Sequence, residues 1–151
     1  MTKKKGINRH ESLKPLSRHH MIGLHVALKL KRAGTENSRW SIKEILKDTN
    51  EFWNPDGQEH FREEEEILLP AYSCFANVDE QPEIGEMLLE HVKIRAGMDA
   101  VLSAEPPSLD QMHELGLLLE AHIRKEERVI FPMIERALPE DKLIELAPYL
   151  E

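Results

Sequence analysis

The chain contains very little cysteine and few aromatic residues. Cys74 is its only cysteine among 151 residues, and Phe, Trp and Tyr together make up 5% of the sequence. A single thiol excludes an internal disulfide and a zinc site built from several cysteines. It also favours a reducing compartment, so we expect a cytoplasmic protein.

Long apolar runs and a surplus of positive charge are also missing. No apolar stretch reaches the roughly 18 residues that a membrane-spanning helix needs, and the charged N-terminus lacks the apolar segment of a signal peptide. The net charge of -8 argues against a nucleic-acid partner. Because long apolar runs are missing, we expect no membrane partner. Val, Ile and Thr never alternate with period two, so we also predict no sheet.

Apolar residues instead recur at spacings of three and four in four long segments. These predicted helices begin at Pro15, Ser41, Pro82 and Ser108. The first ends near Gly34, the second near Pro70 after a kink at the NPDG sequence of residues 54–57, and the fourth extends to about Ile130. A short helix is predicted after Pro139.

Four helices of this length joined by short links predict an all-α protein, specifically an antiparallel, up-down four-helix bundle. The length suits one domain with a sizeable core. We expect an N-terminal arm over residues 1–14, the bundle over 15–136 and a short C-terminal helix over 137–151.

Two stretches of the chain are copies of one another. HFREEEEILLP covers residues 60–70, and HIRKEERVIFP covers residues 122–132. Each has His first, Glu four and five residues later, an apolar cluster, and Pro ten residues after the His. Positions i and i+4 lie only about 40° apart on an α-helix, so His60 is predicted to share a face with Glu64, and His122 with Glu126.

Four of the eight histidines lie on predicted apolar faces, one per long helix: His20, His60, His91 and His122. A single such histidine is best interpreted as a half-buried side chain satisfied by a neighbour. Four of them among carboxylates would cost several kcal/mol in desolvation. Coordination of a metal removes that cost, so we interpret all four as candidate ligands.

The carboxylates separate by helical position. Glu64 lies on the face of His60, whereas Glu65 and Glu66 are predicted to turn toward water. Glu126 corresponds to Glu64 in the repeat and is preferred, but the long side chain of Glu127 at i+5 also reaches the same face. The fourth helix therefore offers two alternative ligands.

Mixed imidazole and carboxylate ligands suit iron, manganese or zinc. Two carboxylates facing each other across a bundle favour a dinuclear site. The Glu-x-x-His signature of ferritin-like di-iron proteins is absent, and so is the H-E-x-x-H motif of zinc proteases.

These residues resemble the hemerythrin family, in particular bacterial proteins with the HHE cation-binding domain. The resemblance rests on the two His-x-x-x-Glu-Glu blocks, with RH at 9–10, PLSRHH at 15–20 and IFP at 130–132. It implies a four-helix bundle that holds two non-haem iron ions, bridged by carboxylates and an oxo or hydroxo group. The implied ligands are His20, His60, Glu64, His91, His122, and Glu126 or Glu127.

The chain departs from the oxygen-carrying members at one position. They have His-x-x-x-His on the third helix, whereas this chain has Arg95 four residues after His91. One ion would therefore have fewer ligands. We expect a protein that senses, stores or responds to iron, oxygen or a related small molecule. The alternatives are a di-iron oxidoreductase acting on oxygen, peroxide or nitric oxide, and a metal-free interaction module that binds partners through acidic helices.

Overall fold

The computed structural model describes residues 8–150, and every regular element in that range is helical. This confirms the predicted all-α class. Residues 1–7 of the predicted arm and residue 151 lie outside the described residues. Within the described range, no helix is both long enough and apolar enough to cross a membrane.

The α-helices are α1 (Lys14–Arg32), α2 (Ile42–Phe52), α3 (Gln58–Glu63), α4 (Leu69–Ser73), α5 (Pro82–Ser103), α6 (Leu109–Lys125), α7 (Phe131–Ala137) and α8 (Glu140–Leu146). Two π-helical segments are Glu64–Leu68 and Glu126–Ile130, and Trp53–Gly57 is a kinked segment between α2 and α3. They join α2, α3 and α4 into one rod, residues 42–73, and α6 and α7 into another, residues 109–137. Short 3₁₀ turns are Glu11–Leu13, Val78–Glu80 and Ala147–Tyr149.

Local side-chain bonds start two of these rods where the sequence predicts. Ser41 Oγ accepts from the backbone N–H of Glu44 at 3.1 Å, and the Glu44 carboxylate accepts from the N–H of Ser41 at 3.1 Å. Ser108 Oγ accepts from the N–H of Gln111 at 3.2 Å. The predicted kink at NPDG is present, since Asn54 has non-helical angles of φ -114° and ψ 116°.

The two long rods do not end where the sequence suggests. Proline lacks an N–H, so we expected the helices to stop near Pro70 and Ile130. The N–H of Leu69 instead bonds to the carbonyl of Glu64, and that of Phe131 to the carbonyl of Glu126, five residues back in each case. These wider turns place each proline in the first turn of a new α-helix, which continues to Ser73 or Ala137.

The apolar core has two parts, separated by a polar layer. The first cluster is Leu13, Leu16, Leu68, Leu69, Tyr72, Ile84, Met87, Ile130, Phe131, Ile134, Leu138, Leu143, Leu146 and Leu150. The second is Val26, Ala27, Leu30, Ala33, Ile45, Trp53, Phe61, Ile94, Met98, Val101, Met112, Leu115, Leu119 and Ile123. Residues 8–13 and α8 contribute to the first cluster, so both ends of the described chain cover the same end of the core.

Helices α1 and α6 are in close backbone contact at Gly116. A Cβ on this residue would lie 2.8 Å from the carbonyl oxygen of Ala27 and 2.9 Å from the backbone nitrogen of Lys31. Since backbone atoms cannot rotate away, Gly116→Ala should lower the free energy of unfolding by about 1–3 kcal/mol. Urea denaturation of the metal-free protein measures this change.

Gly85 provides the matched control for that substitution. It also lies in a helix, α5, but a Cβ there meets nothing within 4 Å. Gly85→Ala should stabilise the protein by about 0.5–1 kcal/mol, because alanine loses less backbone entropy in a helix. Equal effects of the two substitutions would contradict the close packing of α1 on α6.

Candidate metal centre

The polar layer between the two clusters consists of six buried residues, each exposing 5% or less of its surface: His20, His60, Glu64, His91, His122 and Glu126. All four long helical segments contribute. His20 comes from α1, His60 from α3, His91 from α5 and His122 from α6, while each glutamate is the first residue of a π-helical segment.

These side chains form two groups that share the glutamates. One group is His20, His60, Glu64 and Glu126; the other is Glu64, His91, His122 and Glu126. Within each group, every residue offers one ligand atom, and these atoms all lie within 4.8 Å of one another. Donor atoms this close together, and shielded from water, can bind one cation per group.

The histidines form two pairs, His20 with His60 and His91 with His122. Each shared carboxylate turns one oxygen toward each pair. Glu64 Oε2 lies 2.9 Å from His60 Nε2, and its Oε1 lies 3.1 Å from His91 Nε2. Glu126 Oε1 lies 2.9 Å from His20 Nε2, and its Oε2 lies 2.9 Å from His122 Nε2. The two glutamates therefore lie between the two histidine pairs.

Three atoms of this layer are buried without a hydrogen-bond partner: Glu64 Oε1, Glu126 Oε1 and His122 Nε2. They are close to neighbouring polar atoms, yet their angles do not suit hydrogen bonds. Unsatisfied buried polar atoms are rare. Three of them in one cluster indicate that the side chains converge on a shared space, which fits a metal centre with nitrogen and oxygen ligands.

The outward-facing nitrogen of every histidine in the centre has its own partner. His20 Nδ1 lies 2.6 Å from Glu127, His91 Nδ1 lies 2.6 Å from Glu65, and His122 Nδ1 lies 2.8 Å from Glu90. His60 Nδ1 lies 3.0 Å from His19 Nδ1. Such contacts fix the ring orientation and leave Nε2 directed inward.

The geometry bears on the predictions for two further glutamates, Glu127 and Glu65. Glu127, the alternative ligand, lies outside both groups and contacts His20 Nδ1 instead. The prediction that Glu65 turns toward water is wrong, because it contacts His91 and accepts from Arg95 at 3.1 Å. Arg95 therefore holds a carboxylate that supports the centre.

His19 and Glu90 are the contributors that the sequence analysis missed. Each precedes a predicted ligand directly in the chain, and each contacts the histidine of a different helix: His60 for His19 and His122 for Glu90. Periodicity within one helix contains no signal for such contacts.

Burial and mutual charge control the protonation of the metal-free centre. Burial, reinforced by Glu126, raises the pKa of Glu64 well above its usual range. Burial also lowers the pKa of His60 well below normal. Burial opposes protonation of His122, but Glu126 and Glu90 overcome it and raise its pKa to about 9. Without a cation, His122 therefore carries a proton at neutral pH, and Glu64 keeps its proton to a higher pH than an ordinary carboxyl group does.

A small cavity adjoins the centre. The volume of this cavity is about 10 Å³. His20, His60 and His122 line it together with mainly apolar side chains, including Phe52 and Leu119. Phe52 stacks on His19 with ring centroids 4.8 Å apart, and both also line an outer pocket of about 490 Å³. The cavity is large enough for a molecule the size of water.

Comparison with known proteins supports the same interpretation. No curated protein and no solved structure matches the chain. The family model described as the hemerythrin HHE cation-binding domain matches residues 16–134, most of the chain and all six residues of the buried centre. The chain therefore belongs to the hemerythrin HHE cation-binding family.

Proposed function

We propose that the protein binds two iron ions in the buried centre and senses, stores or responds to iron, oxygen or a related small molecule. The observation that carries this proposal is the arrangement of Glu64 and Glu126, each with one oxygen toward each histidine pair. A single ion beside one histidine pair would contact only one oxygen of each glutamate. Iron is favoured because the donors are imidazoles and carboxylates without thiolate, and because the chain belongs to this family.

The proposed ligands of one ion are His20 and His60, and those of the other are His91 and His122. Glu64 and Glu126 bridge the two. We prefer Glu126 over Glu127 as the bridge, because Glu126 is fully buried between the pairs whereas Glu127 orients His20. Bound iron would supply a Lewis acid and a redox centre with coordination positions open to a small molecule.

We also propose that the four long segments form the antiparallel, up-down bundle expected from the sequence. Along α1 and α5, residues of the first core cluster precede the centre and residues of the second follow it. Along the rods 42–73 and 109–137 this order is reversed. The alternating order supports a bundle over residues 15–136, covered at one end by the flanking segments.

A di-iron oxidoreductase acting on oxygen, peroxide or nitric oxide is the second candidate. The cavity beside His60 and His122 favours it, because its largely apolar walls suit a small uncharged molecule. Turnover measurements with each of the three compounds on the iron-loaded protein distinguish an enzyme from a binding protein. A cytoplasmic location and the lack of a nucleic-acid partner stay predictions from composition.

Elemental analysis of freshly purified protein, combined with absorption spectroscopy, tests the main proposal. We expect two iron ions per chain and charge-transfer bands of a ferric pair that change when azide is added. Zinc as the bound metal, or one ion per chain, would contradict the di-iron proposal. If the protein binds no iron after anaerobic loading with Fe(II), the metal-free interaction module is the hypothesis that remains.

Metal affinity should increase with pH up to about 9. His122 carries a proton below its pKa of about 9 in the metal-free protein, and only the neutral ring binds a metal. Each displaced proton should make the apparent affinity about tenfold weaker per pH unit below that value. Competition with a chelator between pH 6 and 9 measures this slope.

Calorimetry in two buffers of different ionisation enthalpy provides an independent count of the protons released. An NMR titration of the His122 ring in the metal-free protein should have its midpoint near pH 9. An affinity that does not change between pH 6 and 9 would show that no proton is displaced on binding.

A further inference from the structure

Arg9 lies outside the part of the chain that matches the family model, and its side chain is 5% exposed. Its Nη1 donates to Glu135 Oε1 at 2.8 Å. Its Nη2 donates to the backbone carbonyl of Glu127 at 2.6 Å and to the carboxylate of the same residue at 3.3 Å. One guanidinium therefore binds both the main chain and the side chain of Glu127.

Glu127 connects Arg9 to the metal centre. Its Oε2 lies 2.6 Å from His20 Nδ1, and it also accepts from Ser17 Oγ at 2.8 Å. The outward-facing Nδ1 of His20 therefore contacts a carboxylate that is itself bound by Arg9. Ser17 and His20 lie on the same helix, so Arg9 supplies the contact that comes from outside α1.

A second route from Arg9 to His20 runs through Phe131. The guanidinium lies 5.2 Å from the centroid of the Phe131 ring. Phe131 in turn stacks on His20, with centroids 5.4 Å apart and planes 15° from parallel. Two contacts of Arg9 therefore converge on the orientation of one imidazole.

Stability alone is a poor explanation for this residue. A buried ion pair often gives no more stability than an apolar replacement, because both charges lose their hydration. Arg9 also leaves its buried Nε without a partner, the one such side-chain atom among the described residues that lies outside the metal centre. Burial of Arg9 therefore costs free energy. In return, Arg9 contacts Glu127 and Phe131, both of which contact His20.

We propose that Arg9 is a positioning residue of the metal centre: it holds Glu127 and Phe131, and through them it fixes the ring of His20. Residues 8–13 then complete the centre from outside the matched domain. This inference rests on the proposed function, since it assigns His20 as a ligand.

The test compares Arg9→Leu and Arg9→Lys with the charge-matched control Arg18→Leu, which alters an exposed arginine of α1. Anaerobic titration with Fe(II) should give about 10–100-fold weaker binding for Arg9→Leu, as is typical when the partner of a ligand is lost. Arg9→Lys should recover part of this loss, because its ammonium still pairs with Glu127 but cannot bind two groups in one plane. Arg18→Leu should bind as the original chain does.

A structural role is distinguished by the ring of His20 itself. In the metal-free protein, Arg9→Leu should shift the ¹⁵N resonance of His20 Nδ1, whereas the destabilising Gly116→Ala should leave this resonance unchanged. Unaltered Fe(II) affinity in Arg9→Leu, or an equal loss in Gly116→Ala, would overturn the inference. If the original chain binds no Fe(II), the proposed function fails, and an unshifted His20 resonance in Arg9→Leu would then overturn the positioning role separately.

Discussion

Glu126→Ala should reduce the iron content from two ions per chain to nearly none. Its carboxylate lies 2.9 Å from the Nε2 atoms of both His20 and His122, one from each pair. Removing it takes one donor from each ion, together with the negative charge that offsets two cations in a buried site. Elemental analysis after anaerobic loading with Fe(II), followed by gel filtration, measures the remaining ions.

Glu127→Ala is the matched control, since it removes the same side chain one residue later. Glu127 contacts the outer nitrogen of His20, so its loss should weaken binding by about 10–100-fold while two ions still bind at saturating Fe(II). The circular dichroism of both variants should stay helical. A complete loss of iron in Glu127→Ala with retention in Glu126→Ala would exchange the assigned roles.

Loading both proposed sites with iron should raise the melting temperature by about 16–32 °C. Free Fe(II) at about a thousand times the dissociation constant adds about 4 kcal/mol of stability per site. For a chain of this size each kcal/mol corresponds to about 2–4 °C. The physical source is the buried centre, where the cations offset the negative charge of Glu64 and Glu126. Calorimetric scans of metal-free and loaded protein measure the difference.

His60→Ala and His113→Ala serve as the paired variants for this experiment. His60 is buried in the centre, whereas His113 contacts the carbonyl of Ala33 at 2.7 Å, away from both groups. His60→Ala should lose most of its iron and most of the gain in melting temperature. His113→Ala should keep the full gain. Equal gains in both variants would remove His60 from the ligand set.

Much of the centre could be predicted because its signals are local in the chain. A histidine and a glutamate four residues apart share a helix face whatever the rest of the fold does. The duplicated blocks therefore indicate both buried pairs, His60 with Glu64 and His122 with Glu126. The predicted starts at Ser41 and Ser108 are equally local, since each depends on bonds within one turn.

The outer partners of the histidines could not be predicted, because each comes from another helix. Glu65 contacts His91 of α5, and Glu90 contacts His122 of α6. Which residues meet across an interface depends on the axial offset and rotation of two packed helices. A single sequence contains no information on either quantity.

The course of the rods beyond the centre also has a signal in the sequence. The buried residues of both copies follow one another at intervals of four: His60, Glu64, Leu68 and Tyr72 in one, and His122, Glu126, Ile130 and Ile134 in the other. In a regular α-helix the last of four such residues lies about 120° away from the first. Four in line therefore require a wider turn, and a π-helical segment supplies it in each copy.

Each π-helical segment contains one residue more than a regular α-helix would need for the same rotation. It therefore changes the direction in which every later side chain of the rod points. If the same residues formed an uninterrupted α-helix, Tyr72 would lie about 120° away from His60 instead of in line with it. Either the proposed ligands or the core residue Tyr72 could then face inward, but not both. In this protein, the direction of the binding face and the direction of the core face below it are set independently along the same rod.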